Sequence, residues 1–258
     1  MTNTLRSIAG VLLAGLSGAG LASPVHAGNH AVLAKPATPE TRGLYLQLIR
    51  QARADGRVRA ALAYLDDFDR QYRDDPEARA LRINCLLDLG DLVAAQALVA
   101  KIPKDAGGAE TEMVRGHVLA AAGRWGDAIG PYQAAVRLSP ADALARNALG
   151  YAQLRVGQVA PAVENFRASV DLAPGAPVLR NNLLLALLMS GDERQVETRM
   201  AGLAPAERAI LRGQLEKEAA RIAGLAGIAR RPGSQQGTQQ NPLATPVPPA
   251  KGKGGVRS

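Results

Sequence analysis

The chain has 258 residues, enough for one or two domains, and 47% of them are apolar while only 3% are aromatic. Alanine and leucine supply most of the apolar bulk, which suits closely packed helices better than a sheet. The formal net charge is +8, but residues 230–258 alone hold five basic residues and no acidic one. The remaining body therefore lacks the basic stripe and stacking aromatics of a nucleic-acid-binding surface. We expect an all-α protein with no nucleic-acid partner.

Residues 1–27 have the pattern of a secretory signal peptide. Arg6 gives a basic start, an apolar stretch runs from Ile8 to Leu21, and Val25-His26-Ala27 is a small-residue cleavage site. The apolar stretch is shorter than the roughly 20 residues of a membrane-spanning helix, although a retained N-terminal anchor is the alternative. We predict a periplasmic protein whose mature chain has no transmembrane segment.

Five glycines recur at intervals of 34, 33, 34 and 34 residues. Each lies between two apolar stretches of helical period, so each predicts the turn of a helix-turn-helix unit. A single unit of this kind cannot bury its apolar face, whereas five stacked units share a continuous core and present a long surface. The five turn glycines are Gly56, Gly90, Gly123, Gly157 and Gly191.

The third and fourth units agree at six positions. A small residue on each helix allows the two backbones to cross closely, an aromatic fills the gap between adjacent units, and a proline ends the second helix. The matching residues are Gly116, Gly123, Ala128, Tyr132, Ala135 and Pro140 against Gly150, Gly157, Ala162, Phe166, Ser169 and Pro174.

These residues resemble tetratricopeptide (TPR) repeats. The resemblance implies a TPR-type α-solenoid of about five helix-turn-helix repeats over residues 40–205. In the outer units Ile49, Ile83 and Leu184 replace the small residue of the first helix, so we expect wider helix spacing there. Pro131, well inside a predicted second helix, predicts a kink or a late start of that helix.

The repeat array is flanked by segments of other kinds. Residues 28–39 are predicted to be a flexible lead. Residues 206–230 show an apolar stripe, which predicts a C-terminal capping helix. The stripe includes Ile210, Leu215, Ile222 and Leu225, with Glu216 to Glu218 on the other side. Residues 231–258 are rich in Pro, Gly, Gln and Ser and predict a disordered basic tail.

The sequence nominates no catalytic or metal site. His117 is the single histidine of the repeat body, too few for a metal site, and no nucleophile has a base partner by motif. Cys85 lies in an apolar helical stretch, so a buried, inert thiol is favoured over a reactive one. We therefore predict a non-enzymatic protein without a cofactor.

Polar residues of the first helices are the candidate binding site. An asparagine amide both donates and accepts, so a row of asparagines suits the backbone of an extended peptide, and an arginine suits a carboxylate. Solvated surface residues without a partner are the alternative interpretation. The predicted groove residues are Asn84, His117, Asn147, Tyr151, Arg155, Asn181 and Asn182.

The stretches beginning at Asn147 and at Asn181 resemble the TadD proteins of tight-adherence (Flp-type) pilus assembly. This resemblance implies a periplasmic helper of the outer-membrane pilus secretion apparatus that binds another envelope protein. TadD-type proteins are often lipoproteins, and no cysteine lies near the predicted cleavage site to accept a lipid. Two alternatives remain: an adaptor for polysaccharide export or cell-wall machinery, and docking of the basic tail on an anionic surface.

Overall fold

The computed structural model describes residues 38–103 and 105–226. The regular structure of these residues is entirely helical, which confirms the all-α prediction for this part of the chain. In chain order the helices are α1 Pro39–Ala54, α2 Val58–Gln71, α3 Pro76–Asp88, α4 Leu92–Ala100, α5 Ala109–Ala121, α6 Trp125–Leu138, α7 Ala143–Arg155, α8 Val159–Leu172, α9 Pro177–Ser190, α10 Glu193–Met200 and α11 Pro205–Ala226.

Three predicted segments fall wholly or mostly outside the described residues. They are the signal peptide of residues 1–27, the lead of residues 28–39 except its last two residues, and the tail of residues 231–258. The predictions for these segments remain predictions.

The turn glycines join the helices in pairs. All five have a left-handed backbone, with φ between 74° and 82°, a conformation that costs glycine little and other residues more. The pairs are α1–α2, α3–α4, α5–α6, α7–α8 and α9–α10. The second helix of each unit packs on the first helix of the next, so the units stack in series as predicted.

Most first helices have a clear start signal in the sequence. Asp75 and Asp142 accept hydrogen bonds from backbone N–H groups in the first turns of α3 and α7, and Thr38 does the same for α1. Pro39 and Pro76 open their helices, where the missing N–H costs no hydrogen bond. These residues mark where the first, second and fourth units begin.

The close crossing predicted for the third and fourth units is present. A Cβ atom on Gly116 would lie 2.4 Å from the ring of Tyr132, and one on Gly150 would lie 3.1 Å from the ring of Phe166. The paired helices of these two units pack against each other more extensively than those of the other units. Two of the outer units also have shorter second helices, α4 and α10, so the wider helix spacing expected for the outer units remains a prediction.

Two prolines have different effects from each other. Pro131 lies inside α6, which begins two residues after Gly123, so the predicted late start is wrong. The helix tolerates the proline at the cost of one backbone hydrogen bond. In contrast, α4 ends at Ala100, ahead of Pro103.

The C-terminal helix α11 packs on α9 and α7. Leu215 and Ile222 are buried in one apolar cluster with residues of α7 to α10. The sequence-based face is partly wrong, because Ile210 and Leu225 are each 63% exposed. Glu218, predicted to face away from the array, instead contacts α7 through a hydrogen bond from Tyr151.

Candidate protein-binding face

The first helices of successive units meet on one side of the array. We define this first-helix face by the residue six positions before each turn glycine. From the first unit to the fifth these residues are Arg50, Asn84, His117, Tyr151 and Leu185. The first three are polar and at least partly exposed, whereas Tyr151 and Leu185 are 8% and 3% exposed. The face is therefore open at its N-terminal end and covered at its C-terminal end.

Ion pairs join α1 to α3 along this face. Arg53 Nε lies 2.6 Å from Asp88 Oδ2, and the guanidinium of Arg50 contacts Glu77. Nearer the start of α1, Arg42 Nε lies 2.6 Å from Asp75 Oδ2, the aspartate that caps α3. These partly exposed pairs hold two neighbouring first helices in register and keep charge of both signs at the open end.

Asn84 and His117 join α3 to α5. Nδ1 of His117 lies 3.0 Å from Oδ1 of Asn84, and because this oxygen only accepts, Nδ1 carries the proton. Burial, together with the positive charge of Arg53, lowers the pKa of His117 to about 4. The imidazole is therefore neutral at pH 7 and acts as a hydrogen-bonding group.

Asn147 and Asn182 join α7 to α9. Nδ2 of Asn182 donates to Oδ1 of Asn147 over 2.8 Å, and Asn182 and Asn147 are only 4% and 3% exposed. Their amides are thus already paired with each other in the described chain. Asn181 is half-buried beside them, so of the three predicted asparagines of these helices it is the most accessible.

Tyr151 and Arg155 contact aromatic and acidic groups. Tyr151 donates to Oε1 of Glu218 over 3.0 Å, and Arg155 stacks on the ring of Trp125 at 4.2 Å from the ring centre. Burial and the charge of Glu218 together raise the pKa of Tyr151 to about 12. The hydroxyl is therefore a donor at every physiological pH.

Glu218 is a residue of this site that sequence reasoning missed. Burial raises its pKa, but the hydrogen bond and charge of Arg221, with help from Tyr151 and Arg155, outweigh burial, and the pKa is lowered overall. Glu218 thus stays ionised. The other site residues are predicted from their distance in sequence to a turn glycine. Glu218 lies outside the repeats, so this criterion does not identify it.

The structure brings the predicted residues together mainly in pairs, Asn84 with His117 and Asn147 with Asn182. Tyr151 and Arg155 lie near Glu218, and Asn181, the chain neighbour of Asn182, is half-buried. In residues 38–103 and 105–226, no group of three or more His, Cys, Asp or Glu side chains is arranged to hold a metal ion. In the same ranges no helix combines the length and apolar character needed to cross a membrane.

Comparisons with known proteins point to one kind of repeat. Models of the tetratricopeptide repeat match residues 52–115 and residues 116–157. Among solved structures, PilF of Pseudomonas aeruginosa is 22% identical, with 73% of this chain and 90% of that chain covered and a TM-score of 0.55. A thermophilic TPR protein of Thermus thermophilus is 23% identical, with coverages of 71% and 100% and a TM-score of 0.52.

No curated protein sequence matches the chain. The two solved structures are similar in fold, and their identities to this chain support no statement about shared activity. The repeat matches, the phased turn glycines and the serial stacking of hairpins agree with one another. The described part of the chain is a tetratricopeptide-repeat α-solenoid of five helix-turn-helix units followed by a C-terminal helix.

Proposed function

We propose that the protein is an exported, non-catalytic scaffold that binds another protein of the cell envelope through its first-helix face. TPR arrays generally serve as surfaces for protein interaction, which supports the first part of this proposal. The observation that carries it is the row of polar side chains along the open end of the face, where Asn84, His117 and the pair Arg53–Asp88 link three successive first helices.

This row of polar side chains is suited to binding a polypeptide. The amide of Asn84 and the imidazole of His117 offer donors and acceptors in fixed positions, because each is held by the other. The ion pairs of Arg50 and Arg53 offer charges of both signs at partly exposed positions. A polypeptide backbone presents donors and acceptors at regular intervals and gains hydrogen bonds from such a row.

The finer proposal is a periplasmic helper in assembly of a Flp/Tad-type pilus, associated with the outer-membrane secretion complex. It is supported by the signal-like residues 1–27 and by the resemblance of the stretches at Asn147 and Asn181 to TadD proteins. The likeness to PilF shows the fold alone. The partner is then a protein of the secretion apparatus.

Site-specific photo-crosslinking in cells tests the binding face. A photoreactive residue at Asn84 is expected to yield a discrete adduct whose partner is a component of the pilus secretion apparatus. The matched control is Gln133, which is exposed on α6, a second helix. Equal adducts at both positions, or none at Asn84, would contradict the assignment of the face.

Cell fractionation tests the export part separately. The full chain is expected in the periplasm, and a chain beginning at residue 28 after an initiating methionine is expected to stay in the cytoplasm. If both forms are found in the same compartment, residues 1–27 are not the export signal.

A further inference from the structure

The C-terminal helix covers part of the first-helix face. Tyr151 occupies the same position in its unit as Asn84 and His117 do in theirs, yet it contacts Glu218 of α11. In the next unit Leu185 has this position and is buried in the same apolar cluster as Leu215 of α11. The helix thus lies across the first helices α7 and α9.

One side of α11 carries the contact. Its inward residues follow one another at intervals of four, four and three positions, the spacing of a single helix face. They are Leu211, Leu215, Ala219 and Ile222. Glu218 lies on the same side and presents its carboxylate to Tyr151, so the contact face of α11 combines four apolar residues with one acidic residue.

The attachment of α11 beyond this face is small. A four-residue turn, residues 201–204, joins it to α10. Arg212 lies 2.7 Å from Glu193 and 2.5 Å from Glu197 of α10, but these carboxylates are more than half exposed, where ion pairs contribute little. A competing helix that reproduces the contacts of this face therefore has few further interactions to replace.

We propose that the cleft under α11, formed by α7 and α9, is a second binding site that takes an amphipathic helix of a partner protein in place of α11. The partner helix presents apolar residues in the spacing of Leu211, Leu215 and Ile222 and a carboxylate to Tyr151 and Arg155. This inference deepens the proposed scaffold function by naming a helical partner class, distinct from the extended segment suited to the open end of the face.

The test uses the full chain and α11 itself as the probe. Leu215→Asp with Ile222→Asp removes the two buried anchors and is expected to release α11 from the cleft. A fluorescein-labelled peptide of residues 205–226 is then titrated in an anisotropy measurement. We expect the released variant to bind this peptide at least ten-fold more tightly than the natural chain does.

The matched control is Ile210→Asp with Leu225→Asp, which adds the same charge to the same helix at exposed positions. This control is expected to bind the peptide as weakly as the natural chain. A peptide carrying Glu218→Gln is expected to bind the released variant several-fold more weakly. Equal binding by all three proteins, or no binding by a released variant with unchanged helix content, overturns the proposal.

A second measurement decides the question if the released variant loses its fold. In the natural chain, hydrogen exchange is expected to show that α11 amides open at a lower free energy than those of α9. Identical opening energies for the two helices would overturn the proposal. Crosslinking at Asn84 tests only the open end of the first-helix face, whereas the peptide titration tests only the cleft under α11. The absence of an adduct at Asn84 would therefore contradict the proposed function without changing the peptide result.

Discussion

Gly116 shows how one hydrogen atom in place of a side chain sets the helix spacing of a unit. Replacing a helical glycine by alanine normally stabilises a helix by up to about 1 kcal/mol. At this position the new Cβ would meet the buried ring of Tyr132 at 2.4 Å. We predict that Gly116→Ala lowers the free energy of unfolding by about 1–3 kcal/mol, measured by urea denaturation.

The control for this prediction is Gly213→Ala. Gly213 lies in the middle of α11 and has no atom within 4 Å of the position of a Cβ. This substitution is expected to leave the free energy of unfolding unchanged or to raise it. If Gly213→Ala lowers the free energy of unfolding as much as Gly116→Ala does, backbone effects and not the ring of Tyr132 cause the destabilisation.

His117 predicts a pH dependence of stability. Its pKa is about 4 in the folded chain, below the ordinary value of 6.5, so the unfolded chain binds this proton more tightly. The contribution of the neutral ring is therefore fully present above pH 6.5 and is lost as the pH falls from 6.5 to about 4, by at most about 3 kcal/mol. His117→Gln removes the titration but keeps a hydrogen-bonding side chain.

Urea midpoints of the natural chain and of His117→Gln, compared between pH 7 and pH 4, measure this contribution. As the pH falls, the urea midpoint of the natural chain is expected to decrease more than that of His117→Gln. Parallel curves over the whole range would show that the ring does not titrate with a lowered pKa.

At the residue scale, the sequence predicts steric roles better than polar ones. The role of Gly116 follows from its spacing because a close crossing of two helices needs small residues. The contact of Gly116 with the ring of Tyr132 in the same unit does not follow, since the sequence assigns that ring to the gap between adjacent units. The pairing of Asn147 with Asn182 does not follow, since an asparagine in the same phase is equally compatible with an exposed position. Whether such an asparagine is buried and paired or exposed depends on the neighbouring helices.

At the scale of the helix, the first unit differs from all others. Leu44, twelve positions before its turn glycine, is 68% exposed, whereas the equivalent residue of every later unit is at most 8% exposed. In those later units a preceding second helix covers this position. The equivalent residues are Ala78, Thr111, Ala145 and Leu179.

This difference predicts unequal effects of the same substitution. Leu44→Ala is expected to change the free energy of unfolding by less than about 0.5 kcal/mol. Leu179→Ala, at the equivalent place in α9, is expected to cost about 2–4 kcal/mol because it leaves a cavity between two units. Equal effects in thermal or urea unfolding would contradict the stacking order of the units.

The sequence predicts α11 as a helix but not its location. Amphipathic spacing identifies residues that prefer burial, and Leu215 and Ile222 are buried as expected. It does not identify the surface on which they pack, and the exposed Ile210 and Leu225 fit the same pattern equally well. In the repeats the fixed spacing of about 34 residues identifies the packing surface, because each unit packs on the next one. The helix α11 is not part of a repeat, so its packing surface is not predicted in this way.

At the scale of the whole molecule, the buried apolar residues among the described residues 38–103 and 105–226 form four clusters in series. The cluster built by α7 to α11 is larger than the other three and contains Phe166, Leu183 and Met200. Each unit contacts mainly its neighbours, so stability is approximately a sum over units and interfaces. The C-terminal units are therefore expected to be the most stable part.

Native-state hydrogen exchange measures this gradient. Amides of α8 and α9 are expected to exchange only through the opening of highest free energy, and those of α1 and α2 through openings of lower free energy. Phe68→Ala is expected to increase exchange in α1 and α2 while leaving α9 unchanged. One opening energy for all helices would instead indicate a single cooperative unit.

The location of Cys85 has a practical consequence. Its side chain is fully buried in the cluster of α1 to α3, and burial raises the pKa of its thiol to about 11. At neutral pH the sulfur is both protonated and out of reach, so an alkylating reagent modifies it only after these helices separate. The rate of alkylation thus provides the natural chain with an intrinsic chemical reporter of opening in its first two units.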